Sequence, residues 1–161
     1  MSIPVFDILP CTKEDYDEID AMFTKIQNLH YDAMPDHFQM GEHYMDEEYF
    51  KDTVDSEDAI IIKAVKRETK EIIGAAMALY YLNEDPAFIE KSGLILEDMY
   101  VSDEYRHQGI AQAMLKYLEN IARSEELDEM CLTVWSFNKN AKNFYSRYGF
   151  VTRSETMAIQ L

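Results

Sequence analysis

The chain has no uninterrupted apolar run of about 18 residues, so no segment has the composition of a membrane-spanning helix. Its start, Met-Ser-Ile-Pro-Val-Phe-Asp, lacks the basic head and apolar stretch of a signal peptide. There are only two cysteines, Cys11 and Cys131, far apart and without metal or redox spacing. They read as reduced thiols, and the expected location is cytoplasmic. Low-complexity tracts and internal repeats are absent. Positive charge is scarce, with 15 Lys and Arg against 31 Asp and Glu for a net charge of −16. The deficit is uneven: residues 1–60 hold sixteen acids and three lysines, whereas residues 61–161 come close to balance. Nucleic acid is therefore not an expected partner, because phosphate backbones need a basic face. An acidic half gathers cationic ligands, and it also serves plain solubility. The Gly-x-x-x-x-Gly-Lys-Ser/Thr phosphate loop and the Gly-x-Gly-x-x-Gly dinucleotide loop are both missing. His30, His37 and His43, with Asp36 and Glu42 nearby, match no zinc spacing, so no metal is expected.

What is present is concentrated in Leu94–Ala111. An apolar strand runs into a short polar loop carrying Arg106-x-x-Gly109-x-Ala111, and an amphipathic helix follows. A strand that delivers a glycine loop to a helix start suits a phosphate. The first-turn N–H groups have no partner inside the helix, and the helix dipole favours an anion there. Gly109 permits close approach of the main chain, and Ala111 keeps the next turn nearly bare.

At 161 residues the chain reads as one domain spanning 1–161. Val5 to Leu9 predicts a short strand. Thr12, with Asp15 three residues on, predicts a helix start, and Ile19, Met22, Phe23, Ile26 and Leu29 carry that helix to about His30. Asp46 predicts the cap of a second helix through Val54. Ala59–Val65 and Ile72–Leu82 are β-rich runs joined by a polar turn. Asn83 to Gly93 predicts a loop and Leu94–Val101 a strand. A helix to about Ser124, a strand Met130–Trp135 and a helix Lys139–Tyr148 come next, then a closing strand pair over Val151–Leu161. The order β-α-α-β-β-β-α-β-α-β-β suits a mixed α/β sheet with helices on both faces.

A second segment follows the apolar run Met130–Trp135. It contains Asn138-x-x-Ala141-x-x-Phe144-Tyr145-x-x-x-Gly149-Phe150. The two segments together resemble the GNAT superfamily of N-acetyltransferases. Their signatures there are Gln/Arg-x-x-Gly-x-Gly/Ala and, downstream, Asn-x-x-Ala-x-x-Phe-Tyr-x-x-x-Gly-Phe. The resemblance implies the GNAT sheet, mostly antiparallel, and transfer of an acetyl group from acetyl-CoA to a primary amine. It also implies, as the one protein partner, a second copy in a homodimer.

Three chemical demands then fall on named residues. Main-chain groups of His107, Gln108, Gly109, Ile110 and Ala111 would cradle the pyrophosphate, with Arg106 as a positive neighbour. The pantetheine arm would lie along Met99, Tyr100 and Val101, with Asn138 hydrogen-bonding it and Ala141 beside it. Tyr145 matches the family's general acid; a phenol of pKa about 10 is protonated at pH 7 and can serve a departing thiolate of pKa about 8.5. Tyr148 reads as a packing residue. An amine of pKa about 10.4 must lose a proton before it attacks, and Glu97, a carboxylate within an apolar strand, is the candidate base. Strand alternation places Glu97 with Met99 and Val101 and turns Asp98 away. Leu96-Glu97-Asp98 beside this loop is similar to the spermidine/spermine acetyltransferase branch. The resemblance sets the acceptor wall between the first two helices, where His30, Tyr31, Asp32, Asp36 and Phe38 supply aromatic faces and carboxylates for an ammonium group. A cationic small amine such as a polyamine is the leading acceptor. A protein N-terminus or lysine is the alternative, and a non-catalytic acyl-CoA-binding regulator is a third reading.

Overall fold

The computed structural model describes residues 5–161. The chain opens with β1 (Phe6–Pro10), a single 3-10 turn (Lys13–Asp15), α1 (Tyr16–Ala33) and α2 (Glu47–Asp55). Three strands follow, β2 (Ala59–Lys66), β3 (Ile72–Asn83) and β4 (Lys91–Val101). A second 3-10 turn (Asp103–Tyr105), α3 (Ile110–Ser124), β5 (Glu129–Leu132) and α4 (Lys139–Tyr148) complete the elements. The five strands form one sheet in the order β1-β2-β3-β4-β5. All neighbours are antiparallel except β4 and β5, which are parallel and joined through α3.

Both faces of the sheet are covered, which explains why β2 and β3 read as nearly continuous apolar runs. On one face Ile110, Met114, Leu115 and Leu118 of α3 pack on Ile62, Ala64, Ala76, Ala78, Leu94 and Leu96. On the other, Ile19 and Phe23 of α1 and Phe50 of α2 pack on Ile61, Ala75 and Met77. Local signals set the helix starts. The Thr12 N–H donates to the Asp15 carboxylate at 2.7 Å, and Asp46 accepts from the Tyr49 N–H at 2.8 Å. Asp20, buried on α1, accepts from the N–H groups of Tyr44 and Met45 and fixes the end of the loop before α2.

Two features depart from the sequence reading. Strand β4 pairs with β5 only from Gly93 to Leu96, opposite Glu129 to Leu132, and β5 ends there rather than at Trp135. The cause lies in β4. Its pairing with β3 shifts register between Met77 and Ala78, so that Glu97 is an extra residue in the ladder. Such a bulge bends a strand, and beyond it β4 stays with β3 while the two parallel strands part. The second departure is at the end of the chain. No strand pair forms over Val151–Leu161; these residues carry no regular structure and are exposed. The stretch contains no Gly, Pro, Asn or Asp to make the tight reversal a hairpin needs.

Candidate active site

The parting of β4 and β5 leaves Asp98–Val101 paired on one side only, with a free main-chain edge on the other. Met99 and Val101 face the α3 side and Tyr100 faces α1, so what these three residues offer to the opening is backbone. At the end of this edge stands the glycine loop. His107 (φ +62°) and Gly109 (φ +83°) both adopt left-handed backbone, and Gly109 occupies the cap position of α3. This turn adjoins the first turn of α3, whose N–H groups have no partner inside the helix and favour an anion. A Cβ built on Gly109 meets nothing within 4 Å, so the space above the turn is open. These residues fit a pyrophosphate. Within the loop, the Ile110 side chain is buried in the core and offers only its N–H, while Gln108 ties its amide to the Glu104 carbonyl. Arg106 is a brace as well as a charge. Its guanidinium donates to the Val101 carbonyl, pairs with Asp103 at 2.8 Å and lies 5.7 Å from the Tyr100 ring centre.

On the far side of the opening, Asn138 caps α4 by accepting the Ala141 N–H at 3.1 Å. Its oxygen is engaged there, and its amide NH2 is the group left to offer. Tyr145, about two turns later, is half-buried edge-on against Phe144 and Phe150. Burial, reinforced by the Asp98 carboxylate, pushes its phenol up to about 12, so it is protonated throughout the neutral range. Tyr148 donates to Glu119 of α3 at 2.8 Å and packs beside Phe150, the structural position expected of it.

The acidic pair on β4 is arranged differently from strand alternation. The bulge interrupts the alternation at Glu97, which is exposed. The cost of a carboxylate inside this strand therefore falls on its neighbour. Asp98 faces the α1 side with Met77, and burial raises its carboxyl to about 6 despite the opposing hydrogen bond from Tyr44. Tyr44 donates directly to Asp98 in a short hydrogen bond, and its own phenol is raised by burial and by Asp98. Nothing in the sequence announces this contact, since the two residues lie far apart and Tyr44 belongs to no motif.

The acceptor-side residues divide. His30 and Phe38 stack at 5.1 Å and join His37, Trp135 and Phe137 in a continuous aromatic cluster that ties the loop after α1 to the loop after β5. Burial lowers the His30 pKa by disfavouring the charged ring. Asp32 lines an open groove of about 700 Å³ with Lys25, Asn28, Phe137, Asn138 and Lys139. Tyr31 and Asp36 make no hydrogen bond, ion pair or ring contact among the described residues. Of the three acceptor-side histidines, His43 pairs with Asp20 at 2.7 Å while His30 and His37 enter the aromatic cluster.

The model of the acetyltransferase (GNAT) family matches residues 23–150, and the chain belongs to that family. Among its relatives, an uncharacterized N-acetyltransferase of Lactobacillus delbrueckii subsp. lactis is 31% identical over 67 residues, 42% of this chain and 39% of that one. A thialysine N-epsilon-acetyltransferase of Bos taurus is 36% identical over 56 residues, 35% of this chain and 33% of that one. The chain thus spans between a third and two fifths of the curated relatives it matches. A Bacillus halodurans protein of solved structure superposes with a TM-score of 0.91 at 22% identity, covering 96% of this chain and 99% of its own; this likeness is one of fold.

Proposed function

We propose that the chain is an acetyl-CoA-dependent N-acetyltransferase whose acceptor is a small cationic amine, of the polyamine or basic amino-acid kind. The observation that carries this reading is the opening between β4 and β5. A free strand edge leads from a left-handed glycine turn at a helix start toward a half-buried, protonated tyrosine. A diphosphate fits the turn, an extended amide-bearing arm fits the edge as an added strand, and a thioester at the end of that arm would come to Tyr145. The related thialysine enzyme carries a cationic amine acceptor in its name, and the aromatic cluster, Asp32 and the acidic pair on β4 suit such a group.

In this reading Glu97, exposed on the bulge, takes the ammonium proton directly or through water. The freed amine attacks the thioester carbon, the C–S bond breaks, and the departing thiolate takes its proton from the Tyr145 hydroxyl, while the second proton of the acylated nitrogen returns through water to the phenolate. Since that phenol is raised to about 12, transfer to a thiolate of pKa about 8.5 runs uphill. Its first contribution is a hydrogen bond to the developing negative charge. Asp98, held by Tyr44, fixes the β4 backbone beside the reacting centre and contributes negative potential toward the amine.

The test is a panel of polyamines, basic amino acids, aminoglycosides and peptides offered with acetyl-CoA, alongside calorimetry with CoA. Turnover of small amines with measurable CoA binding is expected. Acetylation confined to peptides would replace the acceptor assignment, CoA binding without any product would make the chain a regulator, and absence of CoA binding would end the reading altogether.

A further inference from the structure

We propose that Tyr44 is a positioning residue of the acceptor site: its hydroxyl holds the Asp98 carboxylate as the counter-charge for the incoming ammonium group. The inference rests on the reading above that a cationic amine enters the opening between β4 and β5. It starts from an imbalance among the acids on the α1 side of the sheet. Asp15 and Asp20 are buried there, and each has a basic nitrogen of its own, the Lys63 ammonium at 2.6 Å from Asp15 and the His43 ring at 2.7 Å from Asp20. Asp98 is half-buried and, among the described residues, makes no ion pair; its side-chain partner is the neutral phenol of Tyr44. The charge that acts on it is Glu97, of the same sign. Burial and a like charge both oppose ionisation. A carboxylate set in a cleft at such a cost, with no cation beside it, is one whose cation arrives with the substrate.

Tyr44 is fixed from behind. Three residues of α1 pin the loop that carries it. The Asp20 carboxylate accepts the N–H groups of Tyr44 at 2.8 Å and Met45 at 3.0 Å. The Tyr16 hydroxyl donates to the Met45 carbonyl at 2.8 Å, and the Asn28 side chain accepts the Gly41 N–H at 3.3 Å. The Phe23 ring meets the Tyr44 ring edge-on at 5.4 Å. Backbone and ring are both set, so the hydroxyl is delivered to Asp98 from a rigid base, as the support of a reacting group must be. The hydrogen bond lands on Oδ2 of Asp98 and leaves Oδ1 for an ammonium N–H. Around the pair stand Glu97 on β4, Tyr49 of α2 and Tyr145 of α4, while β3 brings uncharged Met77. Burial and Glu97 favour the protonated carboxyl, and the Tyr44 hydrogen bond alone favours the charged one. The balance stands at about 6, so Asp98 is ionised at pH 7, and loss of the bond moves that value upward.

Tyr44→Phe keeps the ring and removes the donor. By carbon NMR of the carboxyl groups, the Asp98 midpoint is expected near 6 in the parent and higher in the variant. In assays with acetyl-CoA and the amine of the panel that turns over fastest, the amine KM should rise about tenfold at pH 7, the order for loss of a hydrogen bond to a charged group. It should return toward the parent's value at pH 9, where Asp98 ionises unaided, and CoA affinity by calorimetry should not change. In an Asp98→Asn background the amine KM is raised at both pH values, and Tyr44→Phe should add nothing, because it acts through that carboxyl. Should Tyr44→Phe fail to fold by circular dichroism, a ring-fluorinated tyrosine at position 44 keeps the shape, donates more strongly and should lower the midpoint instead. A midpoint unmoved by the change at position 44, a KM rise of equal size at pH 7 and pH 9, or a further loss in the Asp98→Asn background would each make Tyr44 a structural tie and overturn this proposal while leaving the acetyltransferase reading intact. A chain that binds CoA but acetylates no amine would overturn both together.

Discussion

At the level of single residues, the motifs of the sequence pick out side chains that stand around one opening of the structure, but not the Tyr44–Asp98 contact. Tyr145 is singled out in the sequence by its spaced pattern with Asn138, Ala141 and Gly149. Tyr145→Phe is expected to lower kcat about 100-fold, the lower end for loss of a positioned proton donor, with little change in CoA affinity by calorimetry. A parallel loss of CoA affinity would make it a packing residue. Glu97→Gln should depress the rate most near pH 7 and less at pH 9, where more free amine exists; equal losses at both would remove the base role. The Tyr44–Asp98 pair was illegible, because a contact between a loop and a bulged strand leaves no trace in periodicity. It carries its own pH signature. The folded-state carboxyl of Asp98 is raised to about 6 from an ordinary 3.8, so between those values the folded chain holds the proton more tightly than the unfolded one. This group therefore favours folding below about pH 4 and loses that contribution as pH rises through 6, an effect on the order of 3 kcal/mol. Asp98→Asn removes the titration, so its Tm relative to the parent should climb across that window. A flat difference would mean an ordinary carboxyl at this position.

At the level of elements, the helices and inner strands were legible from periodicity and caps, since burial on both sheet faces writes itself into apolar spacing. Alternation misjudged β4 at Glu97 because a bulge is one residue without a pattern of its own. It overran β5 because an apolar run does not say where a strand loses its neighbour. The closing strand pair failed for a related reason, as strand-like alternation does not supply the tight reversal a hairpin needs. Two glycines mark where geometry rather than pattern rules. A Cβ at Gly93 would sit 2.5 Å from the Glu129 carbonyl and 2.8 Å from the Tyr81 ring, at the point where β4 meets β5. Gly93→Ala should therefore cost about 1–3 kcal/mol by denaturant melts, the range for overpacking. Gly109 differs, because a Cβ there meets open space and the cost is the left-handed backbone alone. Gly109→Ala should lose about 1–2 kcal/mol of stability and, through distortion of the turn, weaken CoA binding in calorimetry. Unaltered CoA affinity would remove the turn from the cofactor site.

At the level of the whole molecule, charge acts on the two substrates of the proposed reaction in opposite directions. Acetyl-CoA is a polyanion meeting a chain of net −16, most of it carried by the residues that fold into β1, α1, α2 and the acceptor-side loop. Its approach is slowed by repulsion that salt screens, with a Debye length of about 8 Å at 0.15 M. The amine is drawn toward the same field, which salt weakens. The field has a chemical consequence as well: a negative surround raises the amine's own pKa and holds its proton more firmly, so the rate should climb toward alkaline pH. Between low and high ionic strength the KM for the amine is expected to rise while the association rate of acetyl-CoA increases. The opposed signs matter more than their size, because a general effect of salt on folding or on the chemical step would move both substrates together. An amine KM that stays level over that range would leave the acidic half of the chain as a solvated surface without a part in recognition.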